Sequence, residues 1–369
     1  MSFHPGRMGM AEGIGLTFMI TFPRIFLTTP AIGVAAVKNL AWVIGLVAFA
    51  ADLAIFYMLF YVQERLRGDL FSQCEQCFGR TIAWLAAVFY AVIFVLDATL
   101  LLRQFAENTL LTALPYADFQ FVIIWYTLFV VILVYFGIEG IARAAYLMLP
   151  WIISGIFLVL VLAAPFYDMY NLLPWQGEGV GVALQRSLLL AGLNIGGVLL
   201  PILAPQFQTV KTQKIAFVFG VGGSAVVRTM MIICFILAFG VIEAGEKTLP
   251  FFELSRLVYL SRYIQRIEAL FIIIWVIVVI LSIAINIYMA LYLITKPLKL
   301  PSLRPLVPVM AMIVVNLAIL PPDVMTVVQI DSIVVSTLFT LGIVAVPLAL
   351  FLAVLIPRKR RRSRCRVCS

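Results

Sequence analysis

Apolar residues in this chain run in long blocks, and polar residues collect in the short gaps between them. The blocks lie near 14–36, 40–61, 81–102, 119–136, 146–164, 183–204, 216–242, 267–294, 306–320 and 333–356. A helix needs about 20 apolar residues to cross a hydrocarbon core about 30 Å thick, so the pattern predicts about ten spans, the ninth being short. The first block is interrupted by FPRIFLTTP, residues 22–30. Pro23 lacks a backbone N–H and clashes with the turn before it, while Pro30 pushes Thr29 away from helical geometry, so two half-helices are expected. The sixth block is interrupted by AGLNIGGVLLP, residues 191–201, where Gly192, Gly196 and Gly197 weaken the helix and Asn194 offers an amide. Each interrupted span opens a set of five, the pattern of a five-plus-five inverted repeat whose first and sixth spans unwind around a central site. The expected fold is therefore all-α and integral to the membrane. A single membrane domain covers 1–369, with a first repeat near 12–164, a second near 183–356 and a basic tail at 357–369. The first block is too long, and lacks the small-residue cleavage site, for a removable signal peptide.

Composition agrees with the pattern. Hydrophobic residues make up 64% of the chain and charged residues 12%, with a mean hydropathy of +1.12, against about 45–50% and about 25% in soluble domains. Lys and Arg are retained on the cytoplasmic side. Arg65, Arg67, Arg80, Arg143, Lys211, Lys214, Lys296, Lys299, Arg304 and the tail RKRRRSRCR share one side. Glu107, Asp118, Asp168, Glu178, Glu243, Glu246, Glu253, Asp323 and Asp331 gather on the other, so both termini are expected in the cytoplasm. The net charge of +9 sits mostly in the tail directly after a span. That position suits anionic lipid headgroups rather than nucleic acid. CEQC (Cys74, Cys77) and CRVC (Cys365, Cys368) share the cytoplasmic side; they are either four reduced thiols or one tetrahedral zinc site.

Charges deep in a span mark pathways or pairs. Arg24, Asp52, Asp97 and Arg228 lie inside predicted spans. Asp52 in the second span and Arg228 in the seventh are symmetry mates in one moving bundle and are expected to pair. Asp97 belongs to the scaffold, so a contact with Arg24 would cross the moving boundary and act as a gate; the alternative is that Asp97 meets a hydroxyl or water. In the eighth span Ser282 and Asn286 share a face, which either looks onto the site or bonds a neighbouring helix. The glycines at the second break admit a packing role as well. His4 is the only histidine, no nucleophile–base pair is visible, and Asp52 and Asp97 are far apart along their spans, so neither an enzyme nor a cofactor or resident metal is expected.

The stretches YFGIEGIARAAYLMLPWII (135–153), LLRQFAENTLLTALP (101–115), LPFFELSRLVYLSRYIQRIEALFIIIW (249–275) and NLLPWQGEG (171–179) resemble the spore germination permeases, the B subunits of nutrient germinant receptors. The resemblance implies the ten-span fold of the amino acid, polyamine and organocation transporters. It also implies a pocket for a small germinant, usually an amino acid, beside the broken spans: Phe22, Pro23, Arg24, Thr28, Thr29, Gly192, Asn194, Gly196, Gly197, Ser282 and Asn286. A larger A subunit and a lipoprotein C subunit are the implied partners in the spore inner membrane, with sensing and ion release as the task. A germinant carboxylate would sit at the N-terminus of the half-helix restarting after Arg24, where free N–H groups and the dipole favour an anion. Thr28 and Thr29 add hydroxyls, and Arg24 either adds a fork or fills the site itself. The chain departs from the family pattern at Phe22, Pro23 and Arg24, where a Gly- and Thr-rich approach is usual, and at Asn194 to Gly197, where an acid is common. The alternative function is an autonomous amino acid transporter coupled to H⁺ or Na⁺.

Overall fold

The computed structural model describes residues 8–66, 68–258 and 267–355. His4, Arg67, Cys365, Cys368 and the tail 357–369 lie outside them. The described residues are almost entirely helical, with no β-strand among them.

Among the described residues, seven helical stretches are long and apolar enough to cross a membrane. The 44-residue stretch Phe119–Leu162 would reach about 66 Å at 1.5 Å per residue, roughly twice the hydrocarbon core. It is broken at Gly137, where φ is 78°, a left-handed value that glycine adopts freely. Residues 119–136 and 138–162 are therefore separate spans, and Tyr126 of the first bonds Thr109 at the end of the preceding helix. Thr29–Arg65 likewise turns at Lys38, φ 53°, dividing the second half of the first span from the second span, Ala41–Arg65. With Met10–Thr21 as the first half of span one, and with the shorter Arg304–Ile319, the described residues form ten membrane segments.

Both interruptions exist. Met10–Thr21 gives way to a single tight turn at Pro23–Phe26, Leu27 is extended, and the helix resumes at Thr29–Val37 with Pro30 in its first turn, where a missing N–H costs nothing. The sixth span runs as Val180–Leu189, a tight 3₁₀ stretch Ala191–Val198, and Leu199–Ile202. Spans seven and ten each contain a π-turn, Phe217–Val221 and Val335–Phe339, and each packs on an interruption. Thr17 of the first span donates to the carbonyl of Ala216. Gly192 N–H donates to Thr340 Oγ1 at 3.1 Å, just past the second π-turn. Widened turns and broken helices thus supply each other's missing backbone partners, as hydrocarbon requires.

An aromatic ladder fixes the first interruption from behind. Phe18 stacks on Phe22 at 4.8 Å, Phe22 meets Phe26 edge-on at 5.3 Å, and Phe26 meets Phe271 of the eighth span at 5.3 Å. Such pairs add about 0.5–1.5 kcal/mol each beyond area burial. At one end of the bundle, Asp69 caps the short helix Leu70–Phe78 and pairs with Lys296 at 2.5 Å, while Glu64 pairs with Lys214 at 2.7 Å.

The approach of the sixth span to the tenth leaves no room for a methyl group. A Cβ at Gly192 would lie 2.1 Å from the carbonyl oxygen of Val335, whereas one at Gly223 meets nothing. Gly192→Ala is expected to lower stability by about 1–3 kcal/mol, the cost of overpacking, and Gly223→Ala to leave it unchanged or raise it slightly, which thermal unfolding in detergent measures.

Candidate functional site

The first interruption delivers one side chain to the centre. Arg24 sits in the tight turn and is buried. Its Nη2 lies 2.7 Å from Asp97 Oδ1 of the third span. The same nitrogen donates to Asp331 Oδ1 of the tenth span at 2.9 Å, and Nε donates to Asp331 Oδ2 at 3.4 Å. The guanidinium thus engages Asp331 as a fork, the geometry for which arginine is suited, and also lies 5.2 Å from the ring centre of Phe339. Asn286 of the eighth span donates to Asp97 Oδ2 at 2.6 Å. One cation therefore joins spans one, three and ten, and Asn286 adds span eight.

A second buried chain lies nearby. Arg228 Nη2 donates to Asn194 Oδ1 at 2.6 Å, and Asn194 Nδ2 donates to Asp52 Oδ2 at 2.6 Å. The sequence pairs Asp52 with Arg228 directly; in the structure Asn194 stands between them. The reason is positional: the sixth-span interruption carries Asn194 between spans two and seven, and an amide can accept from one neighbour while donating to the other.

Two adjoining cavities open beside these groups, of about 270 and 50 Å³. They share Thr29, Gly33, Ile44, Leu190 and Leu193, so they form one pocket between the second halves of span one and the first half of span six. Arg24 and Arg228 line its inner chamber. Asp331, Ser332, Ser336, Thr337, Gln104 and the exposed Arg186 line the outer one.

Of the residues singled out from sequence, Arg24, Arg228 and Thr29 line this pocket. The others do not. Phe22 is fully buried in the aromatic ladder and Pro23 is buried beside it. Gly196 and Gly197 are packing positions, where a Cβ would lie 2.2 Å from Ile20 and 2.8 Å from Phe217, and Gly192 abuts the tenth span. Asn194 and Asn286 act one layer behind the pocket through Asp52 and Asp97. Ser282 is buried without a hydrogen-bond partner. Thr28 turns away and donates to the carbonyl of Thr248.

Asp331 is missed by the sequence reading, which assigns it to the loops of the acid-rich side. It stands in Val324–Leu355, a helix that begins with mixed residues before its apolar run, so hydropathy alone starts the span too late. Gln104 and Arg186 are missed because polar residues near span ends carry no depth signal.

No group of three or more His, Cys, Asp or Glu capable of holding a metal occurs among the described residues. Burial pushes the Cys74 thiol up to about 12; the other pair of the zinc alternative, Cys365 and Cys368, lies outside the described residues.

The family model described as "Spore germination protein" matches residues 10–326. Among curated proteins no sequence matches the chain. Similar solved structures include Mhp1, a nucleobase-cation-symport-1 family transporter in a closed conformation with bromovinylhydantoin bound, at a TM-score of 0.70 and 10% identity over 95% of this chain and 92% of that one. A Na⁺-coupled sialic acid symporter in a substrate-bound outward-open state follows at 0.66 and 13%, covering 95% and 80%. The manganese transporter of Eremococcus coleocola gives 0.65 and 12%, covering 94% and 76%. At these identities the likeness establishes the fold: an all-α membrane architecture of the five-plus-five inverted-repeat transporter type.

Removing one member of a buried ion pair strands the others, at a cost of about 3–5 kcal/mol. Arg24→Met is expected to destabilise the protein by that amount, and adding Asp97→Asn and Asp331→Asn to recover a large part of it, as read by denaturation midpoints in detergent; strictly additive losses would show that the three groups do not act as a unit.

Proposed function

The chain belongs to the spore germination protein family, and on that premise we propose that it is the integral-membrane subunit of a spore germinant receptor, binding a small nutrient in the pocket beside the broken first and sixth spans and triggering ion release. The observation that carries the reading is the pocket's chemistry. Three guanidinium groups, Arg24, Arg228 and Arg186, face one carboxylate, Asp331, and the walls between are apolar at Ile32, Ile44, Leu190, Leu193 and Val328. Arg186 at the rim, and Arg24 once drawn from its acids, take a carboxylate; Asp331, released by Arg24, receives an ammonium group; and the apolar wall accepts an aliphatic side chain. An amino acid carries all three. Thr29 opens the half-helix that borders the pocket, so the helix dipole adds to the attraction for the anionic end.

In this reading the pocket opens to the outside of the spore inner membrane and both termini lie in the cytoplasm, where the basic tail meets anionic lipid. The larger A subunit and the lipoprotein C subunit complete the receptor. The ligand acts by competing for Arg24: a carboxylate that draws the guanidinium away from Asp97 releases the first span from the scaffold. A second reading, an autonomous amino acid transporter coupled to H⁺ or Na⁺, is favoured by the fold shared with transporters.

Binding to the folded state raises stability by mass action, by about 2.7 kcal/mol at a ligand concentration of 100 Kd. Among amino acids, nucleosides and sugars added to the purified protein, an amino acid is expected to raise the melting temperature. Arg186→Gln, at the exposed rim, should weaken that binding about 10- to 100-fold, matching loss of a charge-assisted hydrogen bond. A shift from a nucleoside or sugar alone, or one indifferent to Arg186→Gln, would refute the pocket assignment. Labelled amino acid entering liposomes that contain only this chain would favour the transporter over the receptor.

A further inference from the structure

The buried charges do not balance. Arg24 and Arg228 face Asp97, Asp331 and Asp52, and all five residues are at most 5% exposed. Two cations against three carboxylates leave one negative charge in excess at a depth where an uncompensated ion costs several kcal/mol. The three carboxylates differ in what they touch. Asp97 lies 2.7 Å from Arg24 and accepts from Asn286. Asp331 is forked by Arg24 and lines the pocket. Asp52 is fully buried; Oδ2 accepts only from the neutral amide of Asn194, and Oδ1 has no hydrogen-bond partner.

Among the described residues no other charge approaches to replace the missing partner. Of the elements packed on the second span, Gly222–Glu246 contributes Arg228, held off by Asn194. Ala191–Val198, Leu199–Ile202, Thr29–Val37 and Thr340–Leu355 contain no ionisable residue. Val180–Leu189 contributes only Arg186, exposed at the pocket rim. Lys38 is paired with Glu178 and Lys214 with Glu64 at the two ends of the bundle, and Lys211 stands exposed in the first turn of Val210–Ala216. On the second span itself Tyr57, Tyr61, Glu64 and Arg65 all lie beyond Asp52 toward that helix's C-terminal end.

We infer that Asp52 is a proton-binding site, its Oδ1 carrying a hydrogen taken from water, so that the five buried groups sum to zero. An unpaired hydroxyl costs about 1–3 kcal/mol, less than the several kcal/mol of an unpaired buried ion. Return of the proton to water leaves a carboxylate for which a direct pair with Arg228 is favourable, and Asn194, in the interruption of the sixth span, is the group displaced. Proton binding is thereby coupled to the geometry of that interruption. The inference needs no knowledge of the ligand proposed above and stands or falls without it.

The test is infrared difference spectroscopy of the intact chain in ester-free detergent, between neutral and alkaline buffer and in H₂O and D₂O. A carbonyl band of a protonated carboxyl group is expected at neutral pH, sensitive to D₂O and lost on alkalinisation. Asp52→Asn should remove it, Asp52→Glu should move it, and Asp97→Asn and Asp331→Asn should leave it in place. No band in the unaltered protein, a band unmoved in Asp52→Glu, or a band lost in Asp97→Asn or Asp331→Asn would overturn the assignment. Asp52→Glu keeps the carboxyl group, so the comparison survives if Asp52→Asn fails to fold.

Discussion

The shared guanidinium of Arg24 is the contact on which the rest of the arrangement depends. A helix broken inside hydrocarbon exposes backbone groups that have no water to turn to, and a cation placed there has no solvent to screen it. Both problems are met in one place. The turn at Pro23–Phe26 is short, backed by the aromatic ladder from Phe18 to Phe271, and its one charged side chain is held by carboxylates from two other spans. Without Asp97 and Asp331 the arginine could not remain at this depth. Without Arg24, two acids about one guanidinium-width apart would repel each other across the junction of spans three and ten.

The second interruption solves the same problem with neutral chemistry. Ala191–Val198 carries no charge of its own and inserts an amide between Asp52 and Arg228. Its glycines let it lie against Ile20, Phe217 and the tenth span at distances no other residue tolerates. Charge fixes one break and close packing fixes the other.

Much of this is legible in the chain because proline acts through the backbone: Pro23 and Pro30 announce the first break whatever surrounds them, and ten apolar blocks announce the spans. Depth and sign direct attention to Arg24, Asp97, Asp52 and Arg228, and the structure sets Arg24 2.7 Å from Asp97. Three things are hidden for physical reasons. Asp331 belongs to a helix whose first turns are mixed in polarity, so no apolar run signals its depth. Asn194 carries no sign to match, so its place between two charges follows only from three-dimensional position. Phe22 reads as a pocket wall because it adjoins the break, yet side chains alternate around even a single turn, and its ring packs between Phe18 and Phe26 while Arg24 lines the pocket.

The two buried networks also differ in what motion would do to them. In a five-plus-five transporter fold, spans one, two, six and seven move as a bundle against the scaffold. Asp52, Asn194 and Arg228 all belong to that bundle, so rocking leaves their contacts intact and only a change of charge rearranges them. Arg24 is on the bundle while Asp97 and Asp331 are not, so rocking must break contacts worth several kcal/mol unless something replaces the carboxylates. Under the function and the proton site proposed above, the two networks meet at a common pocket through Arg24 and Arg228 and would give the molecule two inputs to one movement. Any coupling between them is electrostatic and short in range, because both cations line the same small inner chamber.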